Sequence, residues 1–312
     1  MGKIQTALNL LKNDPQRFKK SLSDNFAKSK ISHMIPDKVF LKMRYKTIFG
    51  RKPNLKNPQT FNEKLLWLKL YDRNPKYSNL VDKFEVKKYI AGTIGEKYTI
   101  PTLGIYDRFE DIDFDSLPQK FVIKCTHDSG SVVICQDKDT FDIAAAEKKI
   151  TPKLKCNMYW WGREWPYKNV KPRIIVEQYM EDVETAELRD YKFFCFDGTV
   201  KALFVATERQ KEGEEVKFDF FDTDYNHLAF KQGHPNAKTL PQKPRRLEEM
   251  IQLAEKLSVG FPQLRVDFYE VNGEIYFGEL TFSHFCGMVP FDPSEWDQIF
   301  GSWIKLPVKT TN

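Results

Sequence analysis

Two dipeptides constrain the fold of this 312-residue chain most: Asp197-Gly198 and Asn272-Gly273, each standing between two runs rich in apolar residues. Such pairs favour the left-handed backbone that closes a two-residue hairpin, so each marks two antiparallel strands joined locally. In the hairpin Arg189–Thr207, turning at Asp197-Gly198, Tyr191, Phe193 and Cys195 are expected to share a face with Val200, Ala202 and Phe204. Asp190, Lys192 and Lys201 then lie on the other, which makes one face core and one charged. In Leu264–Phe282 a two-residue turn would set Asp267 and Glu279 on opposite faces. A three-residue loop, 271–273, with Gly273 in a left-handed bulge, shifts the register by one and segregates residue types more cleanly. Leu264, Val266 and Phe268 then face the core with Tyr276 and Leu280. Arg265, Asp267, Glu279, Thr281 and Ser283 share the other face, with Arg265 opposite Glu279 and the two carboxylates diagonal.

The rest of the chain sets these hairpins in context. Residues 4–50 read as helices, with Leu8, Leu11, Val39, Leu41 and Met43 interleaved with lysine and broken near Pro15 and Pro36. Asn57-Pro58-Gln59 marks a boundary, and Phe61–Tyr89 keeps helical spacing through Leu65, Leu66, Leu68 and Leu70. Strands are expected at Phe121–Lys124 and Ser131–Cys135, flanking the loop 125–130, and at Ile174–Met180. A helix, Arg246–Leu257, separates the two hairpins. A helical start followed by antiparallel pairs is an α+β pattern.

Composition narrows the class. Hydrophobic residues make up 41% and charged residues 29%, which excludes a disordered chain. No stretch approaches eighteen apolar residues, so no transmembrane helix is expected. The five cysteines are odd in number and lack CxxC spacing, against a disulfide frame or structural zinc. Without a secretory leader pattern at residue 1, the expected location is cytoplasmic or at the inner membrane face. Residues 1–52 carry a net charge of +10 and the remainder −4. A basic helical arm on an acidic body suits an anionic partner such as a membrane surface better than nucleic acid, or is a solvated helix face. Met1–Thr6 also fits the loose myristoylation pattern.

Three features could carry chemistry. Asp267 and Glu279 on adjacent strands are hard-oxygen ligands suited to Mg²⁺, unless Arg265–Glu279 is a surface ion pair with Asp267 solvated. His284 and Cys286 nearby read as packing residues. Lys124 ends an apolar strand before Thr126-His127-Asp128-Ser129-Gly130-Ser131, a small polar loop able to hold polyphosphate through ammonium and backbone N–H groups. It is not a Walker A loop, because no helix with Gly-Lys-Ser/Thr follows. Glu177-Gln178-Tyr179-Met180 ends a strand that could offer backbone groups to a purine edge.

In order, these features resemble the ATP-grasp superfamily, and within it the TupA-like ATP-grasp proteins of bacterial surface-polysaccharide gene clusters. The resemblance runs from about Phe61 to Pro307. It includes Phe61-Asn62-Glu63-Lys64, Asp82-Lys83, the Phe121–Lys124 strand with its His127…Ser129-Gly130 loop, and Val176–Met180. It continues through Asp190-Tyr191-Lys192-Phe193, Arg265-Val266-Asp267 and Phe277–Phe282 to Leu306-Pro307.

The resemblance implies two α+β subdomains clasping ATP. Residues 1–57 would be a basic helical segment and 58–312 the ATP-grasp domain, with a mobile lid at about 98–180 and a metal-binding part at about 181–312. Lys83 and Lys124 would contact phosphates, and His127, Ser129, Gly130 and Ser131 would belong to the loop closing over them. Glu177, Gln178, Tyr179 and Met180 would receive adenine, and Glu184 the ribose, with Glu181 and Glu187 as competitors. Asp267, Glu279 and Thr281 would hold Mg²⁺; the usual pattern has Asn where Thr281 stands. Lys192 and Arg265 would face the transferred phosphoryl group, as catalytic residues.

The implied reaction joins a carboxylate to an amine through an acyl phosphate, and the family association points to a sugar carboxylate of a capsule-like polymer. Three other readings compete. Asp222-Thr223-Asp224 after the apolar run Phe218–Phe221 has the context of a glycosyltransferase DxD motif, and Asp113-Phe114-Asp115 is a second match. An ATP-grasp sugar kinase would use the same nucleotide site. A non-catalytic polysaccharide-binding module would need exposed aromatics, for which Tyr159-Trp160-Trp161 and Trp165 are the candidates.

Overall fold

The computed structural model describes residues 12, 15–183, 188–208 and 215–308. Glu184 and Glu187, the Met1–Thr6 pattern, and Leu8 and Leu11 therefore lie outside the described residues. In chain order the main elements are α1 (Pro15–Ala27), α2 (Asp37–Phe49), α3 (Phe61–Tyr71), α4 (Tyr77–Val81), α5 (Glu85–Thr93), β1 (Thr102–Tyr106), β2 (Phe121–Cys125) and β3 (Val132–Cys135). They continue with α6 (Ile143–Leu154), β4 (Ile174–Gln178), β5 (Asp190–Phe196), β6 (Thr199–Thr207), β7 (Lys217–Phe221) and β8 (His227–Leu228). The last are α7 (Leu247–Ser258), β9 (Leu264–Val271), β10 (Glu274–Thr281) and α8 (Glu295–Trp303). The strands pair antiparallel after a helical start, the expected α+β pattern. No helix among the described residues is long and apolar enough to cross a membrane.

The chain divides into two compact units. One gathers residues 1–73, 159–165 and 283–312; the other is residues 74–158 and 166–282. In the first unit Phe40, Leu41, Tyr45, Leu66 and Met288 form a buried core. Thr60 caps α3, its hydroxyl accepting from the Glu63 amide at 3.3 Å, while the Glu63 carboxylate takes the Gln59 amide at 3.2 Å. This reciprocal cap explains why the helix starts at Phe61. The aromatics Tyr159, Trp160 and Trp161 are buried or half-buried here, not an exposed sugar platform. Arg163 has no exposed surface and lies 4.2 Å from the Phe40 ring centre and 4.7 Å from that of Trp160.

The second unit holds two sheets. The four-stranded one has the order β1-β4-β2-β3 and packs Phe121, Ile123, Ile174 and Val176 against Ala146 and Ile150 of α6. The larger runs β10-β9-β5-β6-β7-β8. One of its faces buries Tyr191, Phe193, Leu203, Val205, Val266 and Phe268 against Leu247, Met250, Ala254 and Leu257 of α7. Those helix positions recur every three or four residues, the stripe that fixes α7 as an amphipathic helix.

Both hairpin turns form as two-residue turns with positive φ: Asp197 +47° and Gly198 +78°, Asn272 +52° and Gly273 +79°. The expected registers need correction. In β5–β6 the register shifts between Phe194 and Cys195, so Phe193 opposes Leu203 and Lys192 opposes Phe204. Ala202 and Phe204 thus share the face of Lys192, and that face is buried too, with Phe194 and Phe220 on it. In β9–β10 the loop is not three residues long; Val271 opposes Glu274 and the register slips between Asp267 and Phe268, leaving Gly278 as the extra residue. The bulge therefore sits in the strand. Asp267 comes directly opposite Glu279, and Arg265 opposite Thr281.

Candidate active site

Within the second unit, the four-stranded sheet and the polar face of the six-stranded sheet line a cleft of about 420 Å³. Lys83 enters it from the turn before α5. The neighbouring Asp82 carboxylate accepts the amides of Phe84 at 2.8 Å and Glu85 at 2.9 Å, capping that helix. The Lys83 amide bonds the Thr126 carbonyl at 3.0 Å, and its ammonium donates to the Asp128 carbonyl. Lys83 therefore ties the 126–131 loop to the helix. Burial lowers its pKa, against the opposing pull of Glu279 and Asp128.

Asp128, Ser129 and Gly130 line the cleft, the last with φ +94°. His127 and Ser131 do not. His127 is buried with Nε2 3.1 Å from the Lys153 carbonyl, strapping the loop to α6. The Ser131 hydroxyl donates to the Asp128 carboxylate and accepts the Cys125 amide at 3.0 Å. This turns the Asp128 carboxylate back on its own loop.

On the four-stranded wall Glu177 is clamped between two lysines, 2.5 Å from Lys87 and 2.9 Å from Lys124. Burial alone would raise its pKa, but Lys124 and Lys87 outweigh it and hold the carboxyl below its ordinary value. Gln178, Tyr179 and Met180 follow along the rim, and the Tyr179 hydroxyl accepts from Gln136 at 3.1 Å. Ile100, Val122, Ile134, Met180 and Phe277 give this cleft an apolar portion suited to a flat ring.

The opposite wall carries an ion network. Lys192 pairs with Asp190 at 2.6 Å and with Asp267. Arg265 grips Asp267 with two bonds of 2.7 Å and reaches Glu279 at 2.6 Å. Desolvation would raise the Asp267 carboxyl; Arg265 and Lys192 overcome it and hold the group at about 2. Burial alone would lower the Arg265 pKa, but Asp267 and Glu279 keep the guanidinium charged. Lys192 and Glu279 line the cavity, whereas Asp267 and Arg265 are buried just beneath that wall. Thr281 is not among the lining residues; its hydroxyl donates to Glu279 at 3.3 Å.

Family resemblance implies a divalent cation here. Among the described residues no group of three or more His, Cys, Asp or Glu could hold a metal ion. Two opposed carboxylates do fit Mg²⁺, which commonly takes one or two carboxylates and fills its shell with phosphate and water. Asp267 and Glu279 are the residues that would hold it, with Lys192 and Arg265 now neutralising the same oxygens.

Lys87 and Asp190 line the cleft although the sequence-based expectation gave neither a role in the site. Lys87 stands on α5 and pairs with Glu177, far away in sequence, so no local spacing marks it. Asp190 stands two residues before Lys192 on β5 and pairs with it. Asp222 and Asp224 lie outside the cleft lining. Asp222 accepts the amides of Asp224 at 3.0 Å and Asn226 at 2.8 Å, closing a turn between β7 and β8. Asp113 does the same for Asp115 at 3.2 Å. Both DxD matches are Asx turns.

No curated protein matches the chain in sequence. Among solved structures it resembles N5-carboxyaminoimidazole synthetase from Staphylococcus aureus, 15% identical over 65% of this chain and 44% of that one, TM-score 0.38. It also resembles D-alanine–D-alanine ligase from Bacillus anthracis, 18% identical over 72% of this chain and 59% of that one, TM-score 0.36. The chain thus spans about half the length of these proteins. Residues 63–305 match the protein family described as TupA-like ATPgrasp, a stretch that contains both sheets and every charged side chain of the cleft, and the chain belongs to that family.

Proposed function

We propose that the protein is an ATP-dependent carboxylate–amine ligase. The observation that carries this reading is one cleft lined by Lys83, Lys87, Lys124 and Lys192 on one hand and by Glu279, with Asp267 beneath it, on the other. A substrate carboxylate oxygen attacks the γ-phosphorus of ATP; the bond to the β,γ-bridging oxygen breaks and ADP leaves. The amine nitrogen then attacks the acyl carbon, the carbon–oxygen bond to phosphate breaks, and the nitrogen gives up a proton. Lys83 and Lys124 hold the polyphosphate, and the lid of residues 98–180 brings the 126–131 loop over it. Lys192, with Arg265 behind it, stabilises the charge that builds on the transferred group. Mg²⁺ held by Asp267 and Glu279 supplies further charge neutralisation when bound. Gln178–Met180 receive adenine. Exclusion of water by the closed cleft preserves the acyl phosphate.

The substrate we infer is a sugar carboxylate of a cell-surface polymer, joined to an amino acid or amine. What supports it is the family's association with surface-polysaccharide clusters. Residues 1–52, with their +10 charge, would keep the enzyme at the anionic inner face of the membrane.

A thermal-shift series tests the nucleotide site. Ligand at a hundredfold its Kd stabilises by about 2.7 kcal/mol, roughly 4 °C for a chain of this size. MgATP and MgADP are expected to shift melting in the wild type and much less in Asp267→Asn; a shift with manganese and uridine-diphosphate sugars alone overturns the reading. Phosphate release that requires both a carboxylate and an amine separates ligase from kinase.

A further inference from the structure

We propose that the first unit carries a second anion site, a pocket that takes a phosphate group. Its volume is about 300 Å³, and Lys38, Lys42, Lys56 and Tyr71 surround it over a floor of Pro53 and Leu55. The proposal is independent of the ligase reading. It also differs from a diffuse basic arm, because the three lysines line one cavity.

Each cation is delivered by fixed backbone. Lys38 and Lys42 are one turn apart on α2, so their side chains leave the same helix face. Lys56 comes from the loop between α2 and α3, which is pinned at several points. Gly50 ends α2 with φ +70°, where only glycine is unstrained. Arg51 and the Asn54 amide both bind the Glu63 carboxylate, at 2.5 and 3.0 Å, and the Asn57 amide binds the Asn54 side chain at 3.1 Å.

The charges around the pocket are sorted by residue type. Three arginines of this unit are engaged with carboxylates: Arg44 with Asp24, Arg51 with Glu63, Arg73 with Asp37. Asp37 also takes Arg163 and the Tyr159 hydroxyl. No acidic residue lines the pocket, and among the described residues none of its lysines is in an ion pair. Like charges set one turn apart on a helix destabilise it. Lys38 and Lys42 from the helix and Lys56 from the loop give the cavity three positive charges that an anion would neutralise. Lysine ammonium groups, as compact point charges with several donors, suit phosphate. The source is either a soluble phosphorylated compound or a lipid phosphomonoester at a membrane surface.

The test is calorimetric titration of inorganic pyrophosphate into the full chain, with saturating MgADP present to occupy the cleft. Lys42→Gln/Lys56→Gln is compared with the charge-matched surface pair Lys148→Gln/Lys201→Gln, each first shown to melt like wild type. The expected result is one saturable site weakened at least tenfold in the first pair and unchanged in the second. Equal weakening in both pairs would mean diffuse attraction and overturn the site. Vesicles of phosphatidic acid and of phosphatidylglycerol, sedimented with the same variants, distinguish the sources. Preference for phosphatidic acid that depends on Lys42 and Lys56 supports the pocket with a lipid ligand, even without pyrophosphate binding. Neither pyrophosphate nor phosphatidic acid binding through these lysines overturns it.

Discussion

The two walls of the cleft hold charge in opposite ways. On the four-stranded sheet one carboxylate, Glu177, is shared by two lysines, Lys87 and Lys124, leaving an excess of positive charge. On the six-stranded sheet two cations, Lys192 and Arg265, are shared by three carboxylates, Asp190, Asp267 and Glu279, leaving an excess of negative charge. The first wall is disposed to attract an anion and the second a cation. A metal–polyphosphate complex presents both. The walls also differ in depth: Asp267, on β9, is buried, whereas Lys124 and Lys87 reach the cleft from partly exposed positions. Damage to the deep wall should therefore register in folding, and damage to the shallow wall in binding.

The sharpest way to break the comparison is Asp267→Ala. Removing it strips Lys192 and Arg265 of their shared partner, and loss of one member of a buried ion network typically costs about 3–5 kcal/mol. Urea denaturation should show that loss together with abolished nucleotide turnover; an unchanged midpoint would mean that the deep wall is not structural. Acid titration probes the same carboxylate more gently. Its folded pKa of about 2 lies below the ordinary carboxylate value, so its contribution is complete above about pH 4 and disappears as pH falls towards 2. A depression of that size amounts to roughly 2 kcal/mol, and in Asp267→Asn this part of the stability–pH curve should flatten.

On the shallow wall, Lys124→Ala should weaken MgADP about tenfold, a loss of ~1.4 kcal/mol, with a melting change too small to rival Asp267→Ala. A fall in melting comparable with that variant would erase the distinction. Gly278→Ala tests the bulge that brings Asp267 opposite Glu279. A Cβ there would meet the Asp267 carbonyl and the Tyr269 ring at 3.2 Å, so a loss of about 1 kcal/mol is expected. Asp222→Ala belongs to neither wall. It should lower stability by under ~1 kcal/mol through its turn and leave turnover intact; loss of turnover would reopen the DxD reading.

The same hairpins show what is legible in sequence. Asp-Gly and Asn-Gly announce their turns because so few residue types tolerate positive φ; the Asp197-Gly198 turn was readable to the residue, whereas the loop at Asn272-Gly273 was expected one residue too long. The bulges were not. Each arises in mid-strand where burial on two faces decides the register, and alternation is a weak guide when Phe194 and Phe204 are as buried as Phe193 and Leu203. Asp267 and Glu279 could be brought together on paper, though by the wrong bulge. Lys87 could not, because its partner Glu177 is 90 residues away and nothing local marks the pair. His127 and Ser131 sit in the right loop but under it, since a loop's sequence does not tell which side chains turn inward.

Arg163 has a consequence for the order of events during synthesis. Its guanidinium rests on Phe40 and Trp160, donates to the carbonyls of Ser32 and Trp160, and pairs with Asp37 at 3.2 Å. The same unit needs Asp297 for the Asn62 amide and the Cys286 carbonyl for Lys69. A nascent chain therefore passes through residues 74–158, returns briefly, leaves again for 166–282, and only then makes the residues that finish its first unit. The segment made first is completed last, and a ribosome stalled before residue 283 would display an open core with a charged group at its centre.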